Sequence, residues 1–342
     1  MKRRLAYLVG LILSAGCAVN SPNLRARYQP DAPASIIGQC DGRPHTTQEV
    51  AISNEFDRAH GTLELPAGCG PFPSVLLIAG SGPTDRDGNS PKAGLFPANQ
   101  KMLAEGLAGR GIASLRYDKA GVGASAGAKD ESDYRIDTYV RDAAAWFDAL
   151  RANPNVSSVI LVGHSEGGLI ATLVAKRAHP TGVVLLEAAG RPINEVLLEQ
   201  LQGILPEPLF KESRQILARL ERGETSDVPP ALAPIFRPSV QHYLISWIKL
   251  DPAKEGAELQ VPVLVVYGTR DLQTSQADAE RIARANPRAN VRRIEGMNHV
   301  LKLTEGGDIA AQKSTYVDPS LPISAELVDA VAQFAKSPIS RE

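Results

Sequence analysis

Ser165 sits at the centre of Gly163-His164-Ser165-Glu166-Gly167, after the apolar run Val159-Ile160-Leu161-Val162 and before Gly168-Leu169-Ile170-Ala171-Thr172-Leu173-Val174-Ala175. A strand, a five-residue Gly-x-Ser-x-Gly turn and a helix in succession describe a nucleophile elbow. Such a turn lifts the serine hydroxyl above the sheet edge on a strained backbone, and Gly163 and Gly167 remove the side chains that would collide there. It also puts the first N–H groups of the following helix beneath the serine, where they stabilise a developing oxyanion.

A serine hydroxyl is a poor nucleophile at neutral pH. It needs a base, and the base needs a partner that fixes its tautomer and stabilises its charged form. Of the six histidines, His299 is the one placed just after a late strand, in a loop returning to the same edge. Asp271 follows the preceding strand at that edge, and Glu187, at the end of an earlier one, is the competing acid. His164 is expected to point away from the site as a structural residue. Glu166 contributes its backbone N–H, with its side chain expected at the pocket mouth.

The elements that must position these groups are legible as apolar runs. Val75-Leu76-Leu77-Ile78-Ala79, residues 112–115, the elbow strand, Val183-Val184-Leu185-Leu186, Val263-Leu264-Val265-Val266-Tyr267 and residues 290–294 read as strands, most of them buried on both faces. Helices over 97–110, 137–152 and 277–285 separate them, two short strands precede them near 49–52 and 61–65, and Ser324 caps a last helix. The pattern is a doubly wound, mostly parallel α/β sheet with ligand-binding loops at the strand ends. Between residues 191 and 258 the apolar residues recur at helical spacing, so that this stretch reads as a helical insertion. Its Phe236, His242, Tyr243 and Trp247 are available either to line a pocket or to form the insertion's own core.

Two loops carry weaker signals. Asp85-x-Asp87-x-Asn89 matches the start of a calcium loop, but Ser90 and Phe96 stand where glycine and glutamate are required, so it reads as a hydrogen-bonded turn. Gly121-x-Gly123-x-x-Ala126 satisfies a relaxed dinucleotide fingerprint, yet residues 127–133 are polar and no helix opens directly after the glycines.

With the elbow, Gly80-Ser81-Gly82-Pro83-Thr84-Asp85-Arg86-Asp87-Gly88-Asn89, Arg116-Tyr117-Asp118-Lys119-Ala120-Gly121-Val122-Gly123-Ala124-Ser125, Asp271 and His299 in order, residues 61–335 resemble the α/β-hydrolase superfamily. The elbow and the loop after residue 79 most resemble its bacterial branch of secreted esterases and serine aminopeptidase-like proteins. The resemblance implies a Ser165-His299-Asp271 triad and an oxyanion hole made by Glu166 with Ser81 or Gly82. It also implies a cap formed by residues 191–258 over a core of residues 45–190 and 259–342. No cofactor or metal is implied. The expected reaction is hydrolysis of a small or medium acyl carboxylic ester; a peptidase or amidase with the same triad is the alternative, and a non-catalytic lipid-anchored binding protein a third. The acyl group, the alcohol and the oligomeric state stay open.

A net charge of -1 without a basic excess excludes nucleic acid as an expected partner and points to a small-molecule substrate. Lys2, Arg3 and Arg4, an apolar stretch from Leu5 to Leu13 and the small residues Ser14-Ala15-Gly16 read as a secretory signal over residues 1–16. Leu13-Ser14-Ala15-Gly16-Cys17 resembles a bacterial lipobox, which implies lipidation of Cys17 and a protein held at a membrane surface of the cell envelope. Residues 17–44 then read as a tether. Three cysteines leave Cys40 and Cys69 as a pair once Cys17 is used.

Overall fold

The computed structural model describes residues 43–54, 57–125 and 130–337. The signal segment, Cys17, Cys40 and nearly all of the tether lie outside the described residues; Cys69 is disulfide-bonded. No described helix is long and apolar enough to cross a membrane.

Eight strands form one sheet: β1 (Thr46–Asn54), β2 (Asp57–Leu65), β3 (Phe72–Ile78), β4 (Ala113–Tyr117), β5 (Val156–His164), β6 (Gly182–Leu186), β7 (Val263–Gly268) and β8 (Ala289–Ile294). Their spatial order is β1-β2-β4-β3-β5-β6-β7-β8. The first two pairings, β1 with β2 and β2 with β4, are antiparallel, and the rest are parallel.

The inner strands β3, β5 and β6 carry continuous apolar runs, Val75 to Ile78, Val159 to Val162 and Val183 to Leu186, because both faces are covered, and the period of two sends alternate residues to different cores. Leu76, Ile78, Leu161, Val183 and Leu185 meet helices α2 (Ile136–Arg151) and α3 (Glu166–Ala178) on one face. Val75, Leu77, Ile160, Val162 and Val184 meet α1 (Asn99–Ala108) and α11 (Ala325–Lys336) on the other. On α1, Leu103 and Leu107 are buried as expected while Met102 is only half-buried. Ser324 caps α11 by accepting the Leu327 N–H.

Five described helices stand between β6 and β7: α4 (Ile193–Gln202), α5 (Glu207–Glu221), α6 (Ala233–Phe236), α7 (Pro238–Ile248) and α8 (Pro252–Ala257). Polar ties fasten them to the body. Arg237 pairs with Glu131, Ser246 Oγ accepts the Ile136 N–H at 2.9 Å, and Lys176 meets Glu255 at 2.6 Å. After β7 come α9 (Gln276–Ala285) and, beyond β8, α10 (Ile309–Val317) before α11. Helix α10 has no counterpart in the apolar pattern, because the residues it buries are Gln312, Thr315 and Tyr316.

Sheet register decides where the loops emerge. Ile78 pairs with Gly163, His164 with Leu186, Leu186 with Val266, and Gly268 with Ile294. With Leu77 beside Arg116 of the parallel β4, the segments following β3 to β8 therefore all leave the sheet at one edge. Ser165 is there at φ 55° and ψ −121°, its N–H bonded to the Leu186 carbonyl at 2.9 Å. A methyl group at Gly163 would run into the Gly167 carbonyl, and one at Gly167 into the Ile78 carbonyl. Gly167→Ala is accordingly expected to lower unfolding free energy by about 3 kcal/mol, measured by urea denaturation.

Candidate functional site

The site is built from loops whose ends the sheet holds in register. Asp271 lies three residues beyond β7, and its carboxylate is fixed from two sides. Oδ1 accepts the Gln273 N–H at 2.6 Å and the Thr274 N–H at 3.2 Å. Oδ2 accepts the Thr274 hydroxyl at 2.8 Å and meets His299 Nδ1 at 2.7 Å. The Asp271 and His299 side chains are only 1% and 4% exposed, so this bond is shielded from competing water. An ionised carboxylate accepts only, so Nδ1 is the protonated nitrogen and Nε2 is left free to take a proton.

His299 is also held from behind. His164 Nε2 lies 2.7 Å from the His299 carbonyl oxygen, with the two rings 4.9 Å apart. Burial first, then the neighbouring His299, depresses His164 to about 3, so it is neutral at ordinary pH and must carry its proton on Nε2 to donate this bond. The expectation that His164 points away needs correcting. Its ring reaches the His299 loop and lines a cavity beside Ser165. The pentapeptide gave no signal for this, because the partner is a backbone carbonyl 135 positions away.

Two cavities meet at Ser165. One is lined by Gly80, Ser81, Asn99, His164, Ser165 and His299 among others. The second runs under the inserted helices, where Leu169, Ile193, Val196, Leu197 and Trp247 give it apolar walls. Ser81 lines both cavities and Gly82 neither. Of the aromatic and imidazole side chains singled out in the insertion, Trp247 faces the second cavity, Phe236 is buried in the core, Tyr243 reaches Glu166 and His242 is exposed.

Glu166 is not at a pocket mouth. It is buried, accepts the Tyr243 hydroxyl on Oε1 and lies 3.7 Å from Lys119 Nζ through Oε2. Lys119, itself 1% exposed, donates to the Gly80 carbonyl at 2.5 Å and sits 5.0 Å from the Tyr139 ring centroid. Burial lowers its ammonium pKa, with Glu166 acting in opposition. Sequence reasoning passed over Lys119 because the loop around it reads as a glycine turn. That turn is held by Asp118, which accepts from the Arg86 guanidinium and from the Arg86 and Ala124 N–H groups. The Asp85 turn closes as expected, with Asp85 Oδ1 accepting the Asp87 and Asn89 N–H groups at 3.0 and 2.8 Å.

The unforeseen helix α10 braces both acid and base loops. Gln312 donates to the Arg270 carbonyl at 2.8 Å, next to Asp271. Asn298, next to His299, donates to Thr315 Oγ1 at 2.7 Å.

The eight-stranded, mostly parallel sheet covered by helices agrees with the comparisons, which bear on the fold. The chain is similar to a ferulic acid-bound structure of Est1E from Butyrivibrio proteoclasticus, with a TM-score of 0.56 and 17% identity over 83% of this chain and 97% of that one. This is the α/β-hydrolase fold. An esterase of Pyrococcus furiosus shares it, with a TM-score of 0.54 and 16% identity over 85% of this chain and 91% of that one. The profile described as serine aminopeptidase, S33 (Hydrolase_4) matches residues 98–227, from α1 of the hydrolase fold into its inserted helices. Esterase EstD of Thermotoga maritima is 30% identical over 250 residues, 72% of this chain and 58% of EstD, so the chain spans less than two thirds of that relative.

Glu187, the competing acid, sits beside Asp271 with its backbone at φ 46°, and it is Asp271 that bonds His299. Burial first, then the Asp271 charge, raises the Glu187 carboxyl well above its usual range. Burial also pushes Asp271 up, but His299, the Gln273 N–H and the proton on Glu187 outweigh it and hold Asp271 below its usual value. The two acids therefore affect stability in opposite directions. Asp271's contribution is present above its unfolded pKa and is lost as pH falls through the lower folded value. Glu187's contribution is complete below its unfolded pKa of about 4.3 and is lost as pH rises toward the higher folded value, because the native chain keeps a proton the unfolded chain has released. Replacing Glu187 with Gln should remove a decline of about 1.4 kcal/mol per pH unit between about pH 5 and the folded pKa, read as the wild-type-minus-variant difference in urea unfolding free energy.

Proposed function

We propose that the protein is a serine hydrolase that cleaves small or medium acyl carboxylic esters through Ser165, His299 and Asp271. The observation that carries this reading is the meeting of Ser165 and His299 in one cavity, with His299 Nδ1 held 2.7 Å from a buried Asp271. In the first half-reaction Ser165 Oγ bonds to the ester carbonyl carbon while its proton passes to His299 Nε2. The oxyanion is met by the Ser81 and Glu166 N–H groups. As the carbon–oxygen bond to the alcohol breaks, the proton on His299 passes to the leaving oxygen, and Ser165 is acylated. Water then repeats the sequence: His299 takes its proton, its oxygen bonds to the acyl carbon, and the acid leaves as Ser165 recovers the proton.

Asp271 acts by stabilising the imidazolium and fixing its orientation, and His164 by holding the His299 backbone. The apolar walls under the inserted helices suit an acyl chain. The 30% identity to an esterase supports an ester substrate. The match to the S33 serine aminopeptidase profile favours a second reading, an amidase or aminopeptidase using the same residues. A third, a non-catalytic binding protein on this fold, requires that Ser165 be inert.

The test is a chromogenic aryl ester series graded by acyl length, run beside aminoacyl amides. Esters of short acids are expected to turn over and the amides to lag, and Ser165→Ala should lose about 10³-fold or more in kcat/KM. Faster turnover of the amides selects the second reading. Full activity in Ser165→Ala, together with resistance of Ser165 to a fluorophosphonate, removes both catalytic readings.

The N-terminal residues support a separate proposal, export to the bacterial envelope with a lipid on Cys17. Wild-type protein should then partition with membranes and Cys17→Ser should move to the soluble fraction; a variant that stays with membranes overturns the lipid assignment.

A further inference from the structure

The buried pair Lys119 and Glu166 takes no part in the proton transfers described above, yet it touches both segments that carry oxyanion donors. We propose that Lys119 is a positioning residue for the oxyanion hole. Its ammonium holds the Gly80 carbonyl and so aims the Ser81 N–H at the acyl oxygen of a substrate on Ser165. The inference rests on the serine-hydrolase reading and adds to it a residue that never meets the substrate.

The geometry starts from the Gly80–Ser81 peptide. It is trans and planar, so the Gly80 C=O and the Ser81 N–H point in opposite directions. Lys119 Nζ grips the oxygen at 2.5 Å on one side. On the other, the Ser81 N–H donates to no protein acceptor among the described residues, and Ser81 lines both cavities that meet at Ser165. The peptide lies close to the nucleophile, since a Cβ built on Gly80 would stand 3.1 Å from Ser165 Cβ.

A tether is needed because the segment is Gly80-Ser81-Gly82, with Gly82 at φ 79°. Gly80 has no Cβ to restrict its ψ, so the Gly80–Ser81 peptide is freer to rotate, and a flip would turn the carbonyl oxygen toward the developing negative charge where an N–H is required. A charge-assisted bond from a fully buried ammonium holds one orientation more firmly than a neutral donor would.

The ammonium is tolerated in the interior because its partners surround it. Glu166 Oε2 lies at 3.7 Å and the Tyr139 ring at 5.0 Å. Tyr243, on helix α7 of the insertion, occupies the other Glu166 oxygen. Glu166 also begins helix α3, and in the proposed mechanism its own N–H is the second oxyanion donor. One buried cluster thus fastens the two donors to each other and to the inserted helices.

The experiment compares wild type, Lys119→Met and the double variant Lys119→Met/Glu166→Gln, the last of which leaves no unpaired buried charge. Each is measured for kcat and KM on one short aryl ester and for inhibition by phenylboronic acid, whose serine adduct places an oxygen in the oxyanion position. In both folded variants kcat should fall by about 30-fold or more with KM within about twofold, and the boronate inhibition constant should rise in parallel. Unchanged kcat and boronate affinity in either variant overturn the proposal. So does a loss carried by KM alone, and so does failure of both variants to fold, which would make the lysine a residue of the core. Absence of ester turnover in wild type counts against the serine-hydrolase reading itself.

Discussion

A serine held at φ 55° and ψ −121° at the end of a parallel strand is the constraint on which the rest of this structure depends. An L-residue with a Cβ does not choose that conformation, so the surroundings must impose it. They do so through backbone. The Ser165 N–H is bonded to the end of β6, and α3 starts so abruptly that Gly163 and Gly167 have carbonyl groups where side chains would stand. Gly168 leaves room for Ala188 on the neighbouring loop in the same way. The hydroxyl is thereby presented at the one edge of the sheet where the six segments following β3 to β8 converge. Helix α3 begins at the very next residue.

Around that edge the chain buries several ionisable groups, and each is accommodated by different chemistry. Asp271 keeps its charge because two N–H groups, one hydroxyl and an imidazole replace its water shell. Glu187 has no comparable set of donors, and with a carboxylate already beside it the lower-energy choice is to stay protonated. His164 gives up its charge and becomes a neutral donor. Lys119 and Glu166 stay close together, with a backbone carbonyl, a phenol and an aromatic face filling the remaining positions. A carboxylate, a carboxylic acid, a neutral imidazole and an ammonium within one small region give it a fixed pattern of donors and acceptors that solvent does not average out.

Loops are the natural carriers of reactive groups, and here rigidity is supplied from outside them. Helix α10 contributes Gln312 and Thr315 as braces for the residues next to Asp271 and His299. The inserted helices add Trp247 to the cavity wall and Tyr243 to the cluster under Ser165, and their polar ties to the body fix where those side chains arrive. The loop after β3 is anchored in turn by the Asp85 turn and by Arg86 on Asp118.

What the sequence by itself determined is what local chemistry encodes. Runs such as Val75 to Ala79 and Val183 to Leu186 specify strands buried on two faces, and a serine between spaced glycines specifies the strained turn. An acid and a histidine just beyond late strands specify a carboxylate and an imidazole at one sheet edge. Lys119, His164, Gln312 and the true surroundings of Glu166 were not legible, because each acts on a partner 39 or more positions away, and often on a backbone atom that carries no residue identity. Helix α10 was hidden for a related reason: it buries polar residues whose value lies in hydrogen bonds to distant loops, and hydropathy does not register them. Only the tertiary structure decided which of Asp271 and Glu187 meets His299. Sheet register brings both to the same edge, and the choice falls to the one whose loop supplies the donors that let a buried carboxylate remain charged.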